Sequence, residues 1–162
     1  MSFDTYIHFS ADIKGESTAV KEAIEIFSFS WGASSPVSVG GGKPGISASR
    51  VSISSFNFMK KTDSASTQLF LAACNGKPIP TVTVHMRKQT GGGQQDFLIL
   101  TFSQAMVESF QQSGSSGGDD TPTESVSLAF EKIAISYKKT GADNKLSAGG
   151  DAAWDLTKLV TK

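Results

Sequence analysis

The sequence is almost without cysteine, since Cys74 is the only one among 162 residues. A lone cysteine cannot form a disulfide within the chain, so nothing indicates maturation in an oxidising compartment. A surplus of charge is also missing, because 15 lysines and arginines balance 15 aspartates and glutamates. Nucleic-acid recognition needs a basic surplus or stripe, so we expect no nucleic-acid partner.

Long hydrophobic runs are absent as well, and no segment approaches the roughly 18 apolar residues of a membrane-spanning helix. The first residues, MSFDTYIHFS, lack the basic and apolar regions of a secretory signal. We therefore expect a cytoplasmic protein without membrane insertion, which is secreted, if at all, without a cleaved signal peptide. The length suits a single domain over residues 1–162.

Residues suited to catalysis or metal binding are few. His8 and His85 are the only histidines, and a zinc site would need further ligands. Cys74 lies in a segment of helical pattern, where cysteine commonly packs as a small hydrophobe. A phosphate-binding loop that uses Gly42 and Lys43 of the stretch VGGGKPG (Val39–Gly45) would need a glycine at position 37 and a hydroxyl side chain at position 44. Val37 and Pro44 stand at these positions instead. We expect no enzymatic activity, no metal and no cofactor.

Alternating apolar and polar residues dominate the chain, and this alternation predicts β-strands. The expected strands are Phe3–Phe9, Ala23–Trp31, Arg50–Lys60, Thr81–Lys88, Gln95–Phe102, Glu124–Lys138 and Ala153–Val160. The fourth and fifth of these strands flank TGGG and form a predicted hairpin. The segment FLILTF is apolar on both faces, so we expect both of its faces to be covered, in part by the helix or by another subunit.

In two of the expected strands the apolar side chains switch from one face of the strand to the other midway. The switches fall at Ser54–Ser55 and at Glu131–Lys132. Strands that turn a corner at such a point are typical of barrels and of orthogonally packed sheets. The sequence therefore predicts a mainly β fold. We expect a small closed β-barrel of two orthogonally packed sheets, with one short α-helix and an extended loop.

The segment TDSASTQLFLAACNGK has helical spacing. Asp63 or Ser64 is the expected N-cap, and Gly76 is the expected left-handed stop. A helix of about three turns suits a plug over one opening of a small barrel. Its apolar face should consist of Ala65, Leu69, Ala72 and Ala73.

The segment IEIFSFSWG separates aromatic from small polar side chains. As a strand it places Phe27, Phe29 and Trp31 on one face, where we expect the barrel core. Ser28 and Ser30 fall on the other face, which is neither apolar nor charged. That second face is either an ordinary solvated exterior or the lining of something large.

Several segments, in order along the chain, resemble the haemolysin-coregulated protein family, the tube proteins of bacterial type VI secretion. They are DIKGES, FSFSWG, ISSFNFMKKTDSASTQLFLAACNGKPIPTVTVHMRK, DFLILTFSQAMVESF, GGDDTPTESVSLAFEKIAISY and the C-terminal tryptophan strand. The resemblance implies a non-enzymatic protein of which six copies form a ring with a wide channel. Rings would stack into a tube that carries effector proteins, and a contractile sheath would drive the tube and its spike out of the cell.

The resemblance, together with strand parity, makes Ser28 and Ser30 lumen-facing residues that meet effectors. The loop Ser34–Ser49 is long and rich in glycine, so we expect it to be mobile in a free ring and to act in ring stacking. Its candidate stacking residues are Gly40, Gly41, Gly42, Lys43 and Arg50. The alternative is a monomeric β-barrel that binds a small ligand or carbohydrate, with aromatics or a polar cluster at one mouth.

Overall fold

The computed structural model describes residues 2–40, 45–48, 50–118, 120–158 and 160–161. The described chain is mainly β, as its alternating pattern predicts, with one helix, α1 (Ser66–Asn75). Its strands are β1 (Asp4–Phe9), β2 (Ile24–Ile26), β3 (Ser28–Ser30), β4 (Ala33–Ser34), β5 (Val37–Val39), β6 (Ile46–Ala48), β7 (Ser52–Ile53), β8 (Phe56–Lys61), β9 (Ile79–Thr90), β10 (Gly93–Ser113), β11 (Thr123–Ala129), β12 (Lys132–Thr140), β13 (Leu146–Asp155) and β14 (Val160–Thr161).

The larger sheet, sheet I, has the antiparallel order β2-β1-β9-β10-β12-β13-β14. Its central hairpin joins β9 to β10 with Thr90 opposite Gly93, which confirms the hairpin predicted around TGGG. The final predicted strand, Ala153–Val160, is wrong in its bounds. The chain there is the longer strand β13, a turn, and the short strand β14.

A second sheet, sheet II, has the order β3-β8-β11-β10, so β10 belongs to both sheets. The first half of β10 pairs with β12 as far as Ser103, and the second half pairs with β11 from Met106 onward. Gln104, between the two halves, has a positive φ of 49°, where the strand turns from one sheet into the other. The predicted corner at Glu131–Lys132 is confirmed, since the chain passes there from β11 in sheet II to β12 in sheet I.

The two sheets also meet at Phe27, where β2 ends and β3 begins. β2 pairs with β1 in sheet I, whereas β3 pairs with β8 in sheet II. The strand predicted over Ala23–Trp31 is therefore two short strands with a bend between them. Because the hydrogen-bond ladder is interrupted there, the enclosure resembles a barrel without being continuously closed.

The bend at Phe27 changes which side chains reach the core. Phe27 is 56% exposed, so its predicted place in the core is wrong. Phe29 and Trp31 are partly buried and pack against the core, as their parity predicts. Phe56 has ring contacts with Phe29 and Phe58, and Phe102 lies 5.0 Å from it between centroids.

The outer face of sheet I is less covered than FLILTF suggests. Leu100 and Phe102 are buried between the sheets, whereas Ile99 and Thr101 on the opposite face remain half-buried. The expectation that the helix or another subunit covers part of this segment stays a prediction for the outer face. The predicted break at Ser54–Ser55 is confirmed, because it separates β7 from β8.

Helix α1 has Ala65 at its N-cap position, not Asp63 or Ser64 as predicted. Asp63 still stabilises the helix start, because its Oδ1 accepts a hydrogen bond of 2.9 Å from the backbone N–H of Ala65. The helix ends at Gly76 with φ of 61°, which confirms the predicted left-handed stop.

The apolar face predicted for α1 is confirmed, with Ala65 and Leu69 buried and Ala72 and Ala73 packed against the core. Cys74 is exposed, so its expected burial is wrong. Helical spacing puts Cys74 near the outward Phe70 and away from Leu69.

The loop 34–49 contains regular structure that its composition does not suggest. β4 pairs with β7, and β5 pairs with β6 in a hairpin that we call the arm. The arm exposes three apolar side chains, Val37, Val39 and Ile46, at 55%, 76% and 74%. Arg50 after the arm is exposed, and Gly40 has φ of 80°. Three candidate stacking residues lie outside the described residues: Gly41, Gly42 and Lys43.

Candidate functional site: an uncharged strand face and a buried ion pair

The outer face of sheet II brings together side chains that lie far apart in the sequence. One cross-strand row runs from Ser28 through Met59 and Ser125 to Gln111. The next row contains Ser30, Asn57, Ser127 and Ser109 in the same strand order. These eight positions, which we call the serine face, carry no formal charge.

Ser28 and Ser30 are exposed on the serine face, as their parity predicts. Within it, Ser127 donates a hydrogen bond to Oδ1 of Asn57, which satisfies part of the face internally. Charge appears next to the face at two places: Glu108 is exposed at the bulge of β10 beside Ser109, and Lys61 lies opposite Thr123 in the adjoining row. The eight side chains therefore offer hydroxyl and amide groups, one partly exposed apolar side chain, Met59, and no charge of their own.

The inner side of sheet II ends in a buried ion pair at the edge of the core. Lys60 and Glu124 lie opposite each other on β8 and β11, and both side chains are fully buried. Nζ of Lys60 is 2.7 Å from Oε1 of Glu124 and 2.9 Å from Oδ1 of Asp63. Nζ also donates to Oγ of Ser66 in the first turn of α1, at 3.0 Å.

The carboxylate of Glu124 is fully provided with donors. Oε1 accepts from Ser66 at 2.8 Å, while Oε2 accepts from Thr62 at 2.8 Å and from Gln112 at 2.9 Å. Burial raises the pKa of Glu124, but the hydrogen bonds from Lys60, Ser66 and Thr62 together outweigh it and hold the pKa below its ordinary value. The network ties the start of α1 to three strands.

The sequence reading missed this pair, although a signal for it is present. Lys60 continues the buried parity of Phe56 and Phe58, and Glu124 has the buried parity of Val126 and Leu128. An acid and a base that both fall on a core face predict a buried partner for each. That signal is available from strand parity alone.

A charged cluster occupies the outer face of sheet I. Nδ1 of His85 and Nε of Arg87 each lie 3.0 Å from a carboxylate oxygen of Asp96, although the Arg87 contact lacks hydrogen-bond geometry. Arg87 donates to the carbonyl of Ala19 at 2.8 Å and of Gln94 at 3.0 Å, so it holds the loop before β2 against β9. Within the described ranges, no group of three or more histidine, cysteine or acidic side chains could hold a metal ion.

A third feature lies at the interruption between the sheets. Glu16, Glu25, Lys61 and Asp63 line a cleft of about 550 Å³ beside the exposed ring of Phe27. Burial, together with the nearby charges of Asp4 and Glu25, raises the pKa of Tyr6 on the adjacent strand β1. The positive charge of Arg87 opposes this shift.

The described part of the chain contains no helix long and apolar enough to cross a bilayer.

The mainly β fold with its one helix is shared by proteins of type VI secretion. A solved structure described as a type six secretion system protein is similar to this chain with a TM-score of 0.93 and 31% identity, over 99% of this chain and 100% of that one. The chain belongs to the Hcp family, since residues 6–137 match the model described as "Type VI secretion system effector, Hcp".

Two further relatives are similar to this chain. Hcp1 from Salmonella typhimurium has a TM-score of 0.78 and 26% identity, with complete coverage of both chains. Protein hcp1 from Pseudomonas aeruginosa is 33% identical over 100 residues. That match covers 62% of this chain and 61% of the relative's length.

Proposed function

We propose that this chain is a structural subunit of the inner tube of a type VI secretion machine. Six copies form a ring, the rings stack, and a contractile sheath and a spike protein act with the tube during secretion. The subunit acts by assembly, without catalysis or cofactor. It is made in the cytoplasm and secreted without a cleaved signal peptide. The observation that carries the proposal is the serine face, seen in a member of the Hcp family.

A transport channel for varied cargo needs a lining that binds no class of cargo strongly. Hydroxyl and amide groups exposed to water contribute little net hydrogen-bond energy, and a face without charge neither attracts nor repels charged cargo over distance. The serine face has both properties, whereas the outer face of sheet I carries the charged cluster of His85, Arg87 and Asp96. We therefore place Ser28 and Ser30 at the lumen, where they meet effector proteins.

The arm is the proposed contact between stacked rings. Val37, Val39 and Ile46 are exposed on it, and burial of apolar area against another ring is favourable by about 25 cal/mol per Å². Gly40, Gly41, Gly42 and Lys43, which follow β5 in the sequence, and Arg50 after β6 complete the proposed contact. Shortening residues 39–46 to two glycines should leave single rings and thermal unfolding unchanged but abolish tubes; normal tubes from this variant would contradict the role.

The test of the lumen assignment is Ser30→Gln, with Thr67→Gln on the exposed side of α1 as a matched control. Both variants should fold and form rings, because exposed substitutions usually change stability by less than about 0.5 kcal/mol. Only Ser30→Gln should reduce the amount of effector that copurifies with the ring. Equal retention by both variants would contradict the assignment, and a monomer of 17.1 kDa would favour the ligand-binding alternative.

A further inference from the structure

We infer that the acidic cleft beside Phe27 on one copy receives the basic end of β12, next to the sheet edge at β13, on a second copy. This contact names the two surfaces that close the ring, so it rests on the proposed function. We call them the Phe27 cleft (Glu16, Glu25 and Phe27) and the lysine edge (Tyr137, Lys138 and Lys139).

The Phe27 cleft has unsatisfied features of two kinds. Phe27 is a large apolar side chain exposed at the point where neither sheet continues. Glu16 and Glu25 are exposed, and neither forms an ion pair with another described residue. Asp63 in the same cleft already pairs with Lys60, so Glu16 and Glu25 are the acids available to a partner. One exposed cation, Lys61, also lines the cleft, so the three acids outnumber it.

The lysine edge has the complementary features. Tyr137 is 43% exposed, and Lys138 and Lys139 are exposed without an acidic partner among the described residues. A Cβ on Gly149 would lie 2.6 Å from the ring of Tyr137, so the ring lies directly against the glycine backbone of β13. β14 pairs only with Trp154 and Asp155, which leaves the rest of β13 as an unpaired sheet edge.

The positions of the two surfaces favour contact between copies. β2 and the β12–β13 pair lie toward opposite edges of sheet I. A single cross-strand row of sheet I contains Ile26, Thr5, Met86, Leu98 and Tyr137. β2 and β12 run in the same direction, so Phe27 after Ile26 and Lys138 after Tyr137 lie at the same height along the strands, on opposite sides of the sheet. Different surfaces on opposite sides of one subunit make a head-to-tail contact, which closes a ring when the rotation between copies permits. Because the two surfaces carry opposite charges, we assign a second copy of this chain as the occupant of the cleft.

The experiment uses two charge-reversed proteins and native mass spectrometry of the full chain. Variant A carries Glu16→Lys and Glu25→Lys, and variant B carries Lys138→Glu and Lys139→Glu. Each variant alone places like charges at every contact, so the hexamer should be lost at concentrations where the wild type is fully assembled. An equimolar mixture of A and B places opposite charges at every contact of an alternating ring, so the hexamer should return.

A control protein with Lys77→Glu and Glu131→Lys changes exposed charges outside both surfaces and should keep its hexamer. Intact hexamers of variant A or variant B would overturn the inference and leave the proposed ring standing. Circular dichroism should show that both variants fold as the wild type does, and loss of the hexamer in both folded variants with no recovery on mixing would also overturn the inference. A monomeric wild type would instead overturn the proposed ring, and the inference with it.

Discussion

Lys60 and Glu124 face each other on neighbouring strands and form an ion pair of 2.7 Å with both side chains fully removed from solvent. The pair lies where the core meets the first turn of α1, and Ser66 bonds to both partners. A buried pair of this kind positions elements more than it adds stability, because desolvation offsets much of the attraction between the charges. Here it fixes the helix on sheet II, behind the serine face.

Removal of one partner should be far more harmful than removal of both. Lys60→Met leaves the carboxylate of Glu124 buried without its cation, which costs about 3–5 kcal/mol of unfolding free energy. The double variant Lys60→Met with Glu124→Leu removes both charges and should recover most of that loss. Urea unfolding of the three proteins measures the difference, and equal losses in the single and double variants would contradict the pairing.

The pair also predicts a pH dependence with a definite sign. The pKa of Glu124 is lower in the folded chain than its unfolded value of about 4.3. The ionised carboxylate therefore makes its full contribution to the free energy of unfolding at any pH above that value. The contribution is lost as pH falls through the lower, folded pKa. Unfolding free energy should therefore drop more steeply in acid for the wild type than for Glu124→Gln. Parallel pH profiles would show that Glu124 does not contribute.

The bend at Phe27 gives a matched pair of aromatic truncations. Phe27→Ala removes an exposed ring and should change the stability of the isolated subunit by less than about 0.5 kcal/mol. Phe58→Ala removes a buried ring of the same size and should cost about 3–5 kcal/mol. Thermal unfolding of monomeric samples distinguishes the two variants. A large loss of stability in Phe27→Ala would show that Phe27 belongs to the core.

Close packing against the backbone at the start of β2 requires a glycine at Gly15, in the DIKGES segment. A Cβ at this position would lie 2.2 Å from the carbonyl oxygen of Ala23 and 2.8 Å from Cα of Ile24, both backbone atoms that cannot move aside cheaply. Gly15→Ala should therefore displace the start of β2 and lower the melting temperature. Gly32→Ala is the control, because its Cβ meets nothing within 4 Å; similar melting temperatures for the two variants would refute the steric argument.

Strand parity was sufficient to predict several elements and insufficient for others. The corners near Ser54 and Glu131 were predictable, because a change of phase in the apolar pattern reports a strand that changes sheets. The stop at Gly76 was predictable from local backbone chemistry. The bend at Phe27 has no glycine or proline to mark it, since it depends on which strand each half can pair with.

The serine face could be predicted only one strand at a time. Parity places Ser28 and Ser30 on a polar face, and it does the same for Ser125 and Ser127. Their alignment in two rows depends on the register between β3, β8 and β11, which a single sequence does not specify. The exposed arm was missed because Val37, Val39 and Ile46 alternate over strands of only three residues.

The mass of the native particle tests the central claim most directly. Native mass spectrometry of the wild-type chain, at concentrations of tens of micromolar and physiological salt, should give a dominant species of six times the 17.1 kDa chain mass. Negative-stain images of the same sample should show rings with an open centre. A dominant monomer of 17.1 kDa, with no larger species on concentration, would contradict the assignment of this chain as a tube subunit.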